Sequence, residues 1–212
     1  MPHGSLSLPA RLCLLAWNST ETETGGAGRL PPLVRAGALV ELAQRGLLID
    51  DDGIATPADL DSGTGDAVLD GLLELVRESR PHRWRTWVTL RARITLDAVR
   101  EQLAAEGHLR AEKRRVLGVF PTVEYALDRG AVLEALCERT REAVGGPFPV
   151  AELSERDAAV AALADAAGLV PGAGPVPGRL EELTERGGAA TAVLRTVLRE
   201  VRTTRVASAV AD

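Results

Sequence analysis

The chain has 212 residues and a formal charge of −5, with 45% hydrophobic residues but only 3% aromatic ones. That length suits one core, and a core poor in aromatics has to be built from Leu, Val and Ala, which favours packed helices over a sheet sandwich. A net acidic chain is a poor general nucleic-acid binder, and no apolar run approaches the roughly twenty residues of a membrane span, so any bilayer contact is expected to be peripheral.

Taken in chain order, the first predicted element is a short helix from Pro9 to Trp17, with Leu12, Leu15 and Ala16 on one side. Pro9 and Arg11 interrupt the apolar stretch that a secretory leader needs, so none is expected. Ser19 to Pro32 reads as loop, and Pro32 suits the first turn of the helix that follows. In LVRAGALVELAQRGLLID, Leu33, Ala36, Leu39, Val40 and Ala43 recur at three- and four-residue spacing. This predicts an amphipathic helix with Arg35, Glu41 and Arg45 turned away from the apolar face. Gly46 sits where a helix ends on a residue tolerant of positive φ. Leu47 to Thr56 reads as a hairpin turning on Asp51, Asp52 and Gly53; a calcium loop would need alternating ligands and a closing Glu that are missing.

A third helix is expected from Asp66 to Ser79, striped by Val68, Leu69, Leu72, Leu73 and Val76 and stopped by Pro81. Trp84, Trp87, Val88 and Leu90 mark a short helix, and Thr95 is the expected N-cap of a longer one that ends at Gly107. Lys113 to Leu127 reads as a β-hairpin. Asp128 is expected to cap a helix to Ala143, with Val132, Leu133, Leu136 and Cys137 inward. Ser154 to Asp157 resembles a capping box opening a helix to Ala167, Pro171 to Gly178 reads as a linker, and a last helix runs from about Ala189 to Val210. The expected fold is mainly α: a helical bundle core with surrounding amphipathic helices and one or two β-hairpins. It forms one domain over 1–212, with its core in 8–144 and a helical part in 150–212.

Charge is unevenly spread. Between Arg80 and Arg115 ten basic residues face four acids, a local +6 that leaves −11 for the remainder. Such a segment is either a solvated charged face or a local anion-binding surface. Cys13 and Cys137 lie far apart in apolar runs and read as small hydrophobes, in keeping with a reducing cytosol. His3, His82 and His108 are scattered, so no four-ligand zinc pattern forms, and no nucleophile elbow or phosphate loop is present. The residues therefore predict a binding protein rather than an enzyme, with no metal and no cofactor.

Together, LPARLCLLA, LVRAGALVELAQRGLL, LAAEGHL and EKRRVLGVFPTVEYALD resemble the Golgi phosphoprotein 3 family, including its actinobacterial relatives. The resemblance covers Leu8 to Val144, and beyond Ser154 it is a match of helix order. It implies a helical protein that binds phosphatidylinositol 4-phosphate at the cytosolic face of a membrane. It also implies oligomerisation and membrane contact through a hydrophobic hairpin, and binding of cytosolic tails of membrane proteins. Arg35 and Arg93 fall on basic head-group positions of the family. The family's tryptophan aligns with Gly26 and its second basic residue with Leu96, which leaves Arg91 and Trp87 as substitutes. The hairpin implied for membrane or oligomer contact carries Lys113, Arg114, Arg115, Val116, Leu117, Val119 and Phe120. Its three basic residues would add about 1 kcal/mol each against an anionic leaflet.

The residues also fit a second class, a winged-helix DNA-binding regulator with Ala98 to Glu106 as reader and Arg110 to Tyr125 as wing. Asp97, Glu101 and Glu106 would face phosphates badly there. The preferred expectation is accordingly a peripheral adaptor for an anionic phospholipid head group, with no nucleic acid bound.

Overall fold

The computed structural model describes residues 6–17, 28–116, 120–146, 149–170 and 176–211, with backbone alone for 113–116, 120–122, 189 and 208–211. Within these residues run α1 (Leu8–Trp17), α2 (Leu30–Gln44), β1 (Leu48–Asp51), β2 (Ile54–Pro57), α3 (Ala67–Glu78), α4 (Trp84–Thr89), α5 (Ala92–Ala105), β3 (Leu109–Val116), β4 (Phe120–Leu127), α6 (Gly130–Gly145), α7 (Glu155–Ala167), α8 (Arg179–Glu185) and α9 (Thr191–Ala211). The mainly helical class with two antiparallel hairpins is the one expected from the sequence.

The central element is α2. Pro31 and Pro32 occupy its first turn, where the missing N–H groups cost nothing, so the helix starts earlier than the loop reading allowed. Every residue from Leu30 to Ala43 is buried. That overturns the amphipathic reading: Arg35 is 0% exposed and Glu41 1%. The cause is tertiary, because α1, α4, α5, α7 and α9 all pack against α2 and no face is left to water.

Helix α1 is buried on two sides. Leu8, Leu12 and Leu15 join the cluster formed with α3, α4, α7 and α9. Ala10, Cys13, Leu14 and Ala16 join a second cluster with Leu96, Val99 and Leu103 of α5. Close approach of α1 to α2 depends on Gly37, where an added Cβ would lie 2.7 Å from Leu12 Cδ1 and 3.3 Å from Pro9 Cα. Six of the seven alanines of α7, Ala158, Ala159, Ala161, Ala162, Ala164 and Ala166, are buried in the first cluster, so the C-terminal helices complete the core that the N-terminal ones begin. Small side chains let helices pack closely, and this is how a core poor in aromatics reaches interior density.

Local predictions fare unevenly. Asp52 and Gly53 both take positive φ, 47° and 82°, as a two-residue hairpin turn requires. All five stripe residues of α3 are buried, and Asp66 caps it by accepting from the N–H groups of Val68 and Leu69. Ser154 accepts the Asp157 N–H at 3.0 Å and caps α7 as expected. Thr95 is not an N-cap; it is buried inside α5, which starts at Ala92 after Arg91. Asp128 does not cap α6 either, since Arg129 holds that position. The short α8, with acids Glu181 and Glu182 in its first turn, lies between the expected linker and the expected last helix, where the sequence reading places no element.

Candidate functional site

The strongest departure from ordinary core chemistry lies where α2 meets the start of α5. Arg35 is fully buried, and its Nη2 donates to the Arg91 carbonyl at 2.8 Å. Its Nε and Nη1 have no acceptor among the described residues. Burial pushes the Arg35 guanidinium down to about 10, the direction expected when a cation is moved out of water without a carboxylate beside it. A buried donor left without an acceptor costs about 1–3 kcal/mol, more for a charged group.

Arg91 is strained as well. It precedes α5 with φ 51° and ψ 30°, a left-handed conformation that non-glycine residues seldom adopt. Its carbonyl accepts both Arg35 Nη2 and the Ile94 N–H, at 2.8 and 3.1 Å. Arg35 therefore holds the turn that begins α5, and this turn presents Arg91, Arg93 and Ile94 to solvent. Ile94 is 57% exposed, an apolar side chain set between the two flanking arginines and solvent. Arg93 pairs loosely with Asp97 at 3.5 Å, with 68% of its own side chain exposed. Such a solvated i,i+4 pair is worth about 0.3–0.5 kcal/mol and yields readily to a stronger anion.

The structure thus sets the buried Arg35 against the Arg91 backbone at the α2/α5 junction, while the side chains of Arg91 and Arg93 lie exposed at the start of α5, the positive end of that helix. Trp87 does not join them as a stacking wall: it is 0% exposed and meets the His82 ring edge-on at 5.4 Å. Arg80, Arg83 and Arg85 extend the basic segment as exposed residues around α4. Trp84 is tied down by donating Nε1 to Asp50 Oδ1 at 2.7 Å, which fixes the β1–β2 hairpin against α4.

The β3–β4 hairpin pairs in antiparallel register from Leu109↔Leu127 to Val116↔Phe120. Leu117 and Val119 lie outside the described residues, as do the side chains of Lys113, Arg114, Arg115, Val116 and Phe120. Facing the proposed DNA reader, α5 buries Leu96, Val99 and Leu103 and exposes Asp97 and Glu101, an acidic outer face for a duplex to meet.

Sequence reasoning missed two things here. It treated Arg35 as a surface residue, although an arginine within an otherwise apolar helix carries no periodic signal of its own burial. It also passed over Trp17, the half-buried tryptophan at the end of α1.

Compared with protein families, residues 8–208 match the model described as Golgi phosphoprotein 3 (GPP34). The match runs well past Val144, so the C-terminal helices are covered as fully as the N-terminal ones. No curated protein matches the chain.

Proposed function

Because the chain belongs to the Golgi phosphoprotein 3 family, we propose that it is a peripheral adaptor that binds the anionic head group of a phospholipid at the α2/α5 junction. The observation that carries this reading is Arg35, a buried cation with two nitrogens lacking acceptors among the described residues, set against the backbone of the exposed Arg91. Arg91 and Arg93 take phosphate oxygens directly, since guanidinium presents paired donors in a plane. Arg35 acts from behind, adding buried charge and holding the strained turn. Ile94 enters the interfacial layer, where an apolar side chain beside basic ones gains both burial and charge attraction.

In this reading the protein works at the cytosolic face of a membrane, as a binding protein and not an enzyme. The head group is phosphatidylinositol 4-phosphate or a similarly charged lipid. A second copy docks through the β3–β4 hairpin, and cytosolic tails of membrane proteins are the cargo. Among the described residues no helix is long and apolar enough to cross a membrane, which is consistent with attachment at the surface.

The test is cosedimentation with phosphatidylcholine vesicles, alone or carrying phosphatidylinositol 4-phosphate or phosphatidylglycerol at matched charge. Binding to the anionic vesicles, reduced at least tenfold in the Arg91→Ala, Arg93→Ala variant, is the expected result. Equal binding of that variant, or binding to duplex DNA with a steep salt dependence and none to vesicles, would overturn it.

A further inference from the structure

Helix α9 treats the charges along one of its faces in two ways. Arg195, Arg199, Arg202 and Val206 follow one another at four-, three- and four-residue steps, so they form a single row on the helix. Arg195 is neutralised: its Nη2 meets Glu181 at 2.6 Å and Glu185 at 3.5 Å, both on α8. Arg199 and Arg202, further along the row, are exposed and form no ion pair among the described residues. Two carboxylates lie near them. Glu200 follows Arg199 in the chain but is half-buried and off the row, and Asp165 shares a cavity wall with Arg202 without pairing with it.

The inner face of α9 stops short of its end. Val193, Leu194, Val197, Leu198 and Val201 are buried, and past Val201 the helix continues to Ala211, about 15 Å further. On that extension Arg202, Thr203, Arg205, Val206 and Ala207 are exposed, Val206 to 64%. Arg205 leans over the end of α7, where a Cβ added to Gly168 would meet its guanidinium carbon at 2.5 Å. The row therefore offers Arg199, Arg202 and Val206 outward. It stands on the same frame as the α2/α5 junction. The end of α2 and the start of α9 meet at Glu155, whose carbonyl accepts Gln44 Nε2 at 3.0 Å and whose carboxylate a Cβ on Gly188 would touch. From there α9 packs on α2 and α4, and α4 leads into the Arg91 turn.

We propose that the exposed second half of α9 is a second contact with the anionic leaflet, an inference that rests on the reading of the protein as a membrane-surface binder. Arg199, Arg202 and Val206 repeat the chemistry of Arg91, Arg93 and Ile94: two basic side chains and one exposed β-branched one. The arginines are drawn to lipid head groups, and the apolar side chain at the end of the row enters the interfacial layer. An acidic peptide complements the arginines alone, whereas an anionic leaflet also takes up Val206 and Ala207. Two contacts on separate elements fix how the molecule stands on the membrane and share their avidity.

The experiment places a tryptophan at each exposed apolar position. Val206→Trp and Ile94→Trp are each mixed with phosphatidylcholine vesicles, with and without phosphatidylglycerol, and with vesicles whose acyl chains carry bromine as a quencher. The natural protein gives the baseline for Trp17, Trp84 and Trp87. Val206→Trp emission is expected to shift to the blue and to be quenched by the brominated chains only when phosphatidylglycerol is present. Arg199→Gln combined with Arg202→Gln should melt as the natural protein does and bind those vesicles at least tenfold more weakly, since each arginine near an anionic surface is worth about fivefold. An unshifted Val206→Trp beside a responding Ile94→Trp would overturn the α9 contact and leave the junction standing. The reverse pattern supports the α9 contact and removes the junction, and silence of both overturns both. Unchanged vesicle binding by the double Gln variant, or binding to polyglutamate in place of vesicles, would also refute the α9 contact.

Discussion

Helix α2 buries two charges six residues apart, and they are treated in opposite ways. Glu41 accepts the Leu8 N–H at 2.6 Å, Arg45 Nη2 at 2.6 Å and Arg156 Nη2 at 2.8 Å. It therefore joins the first turn of α1, its own helix and α7. Arg35 has one acceptor, a backbone carbonyl, and two donors left over among the described residues. A fully bonded buried ion belongs to the architecture, while an incompletely bonded one marks a place where architecture yields to binding.

The largest expected effect breaks the satisfied end. Glu41→Ala leaves Arg45 and Arg156 facing a buried hole and uncaps α1, which should cost about 3 kcal/mol, the low end for removing one member of a buried pair. Urea unfolding measures this, and a loss under 1 kcal/mol would mean that Glu41 is no anchor. The next effect lies between the two charges. Gly37→Ala forces a methyl against Leu12 and the Pro9 backbone, at about 1–3 kcal/mol for overpacking, offset by up to about 1 kcal/mol of helix propensity. A net loss near 1–2 kcal/mol is expected from thermal unfolding, and a stabilised variant would show that α1 shifts freely on α2.

The unsatisfied end should respond with the opposite sign. Arg35→Met keeps the volume, removes a costly cation and leaves the Arg91 carbonyl its bond from Ile94. Stability should hold or rise by about 1 kcal/mol while vesicle binding falls. The pH dependence follows from the lowered value. Below about 10 the cation is present in folded and unfolded chains alike and its burial cost is constant; above about 10 the folded chain releases its proton before the unfolded one and the cost declines. The stability gap between Arg35→Met and the natural protein should accordingly be flat through neutral pH and narrow above pH 10. A loss comparable with that of Glu41→Ala would make Arg35 a structural ion.

How much of this was legible depends on whether the signal was local. The α3 stripe, the Asp52–Gly53 turn and the Ser154 cap were readable because each is settled by residues within one turn of one another. The two buried charges of α2 were not, since their burial depends on five helices closing around it from distant parts of the chain. Thr95 and Asp128 were misread for a related reason: the chain enters α5 and α6 through Arg91 and Arg129, residues with no capping side chain. Of the residues expected at the head group, Arg93 is exposed and Trp87 is buried. Spacing places a tryptophan on a helix but does not say whether that helix has a free side.

The smallest expected effect refines the satisfied end. Asp157 of α7 meets Arg11 of α1 at 2.6 Å, a second clasp near the one made by Glu41. Burial alone would raise the Asp157 carboxyl, but bonds from Ser154 and Arg11 outweigh it and hold it below 3.8. A depressed carboxyl contributes its stability above the usual carboxylate value and loses it as pH falls through the lower folded value. Asp157→Asn should therefore cost about 0.5–1 kcal/mol at neutral pH, the scale of one cap and one partly exposed ion pair, and nothing once acid has protonated the natural residue. If the variant instead lost the same amount at every pH, the clasp would act through shape and hydrogen bonding alone. The contrast within α2 would then rest on Glu41, with charge at the α1–α7 contact playing no part.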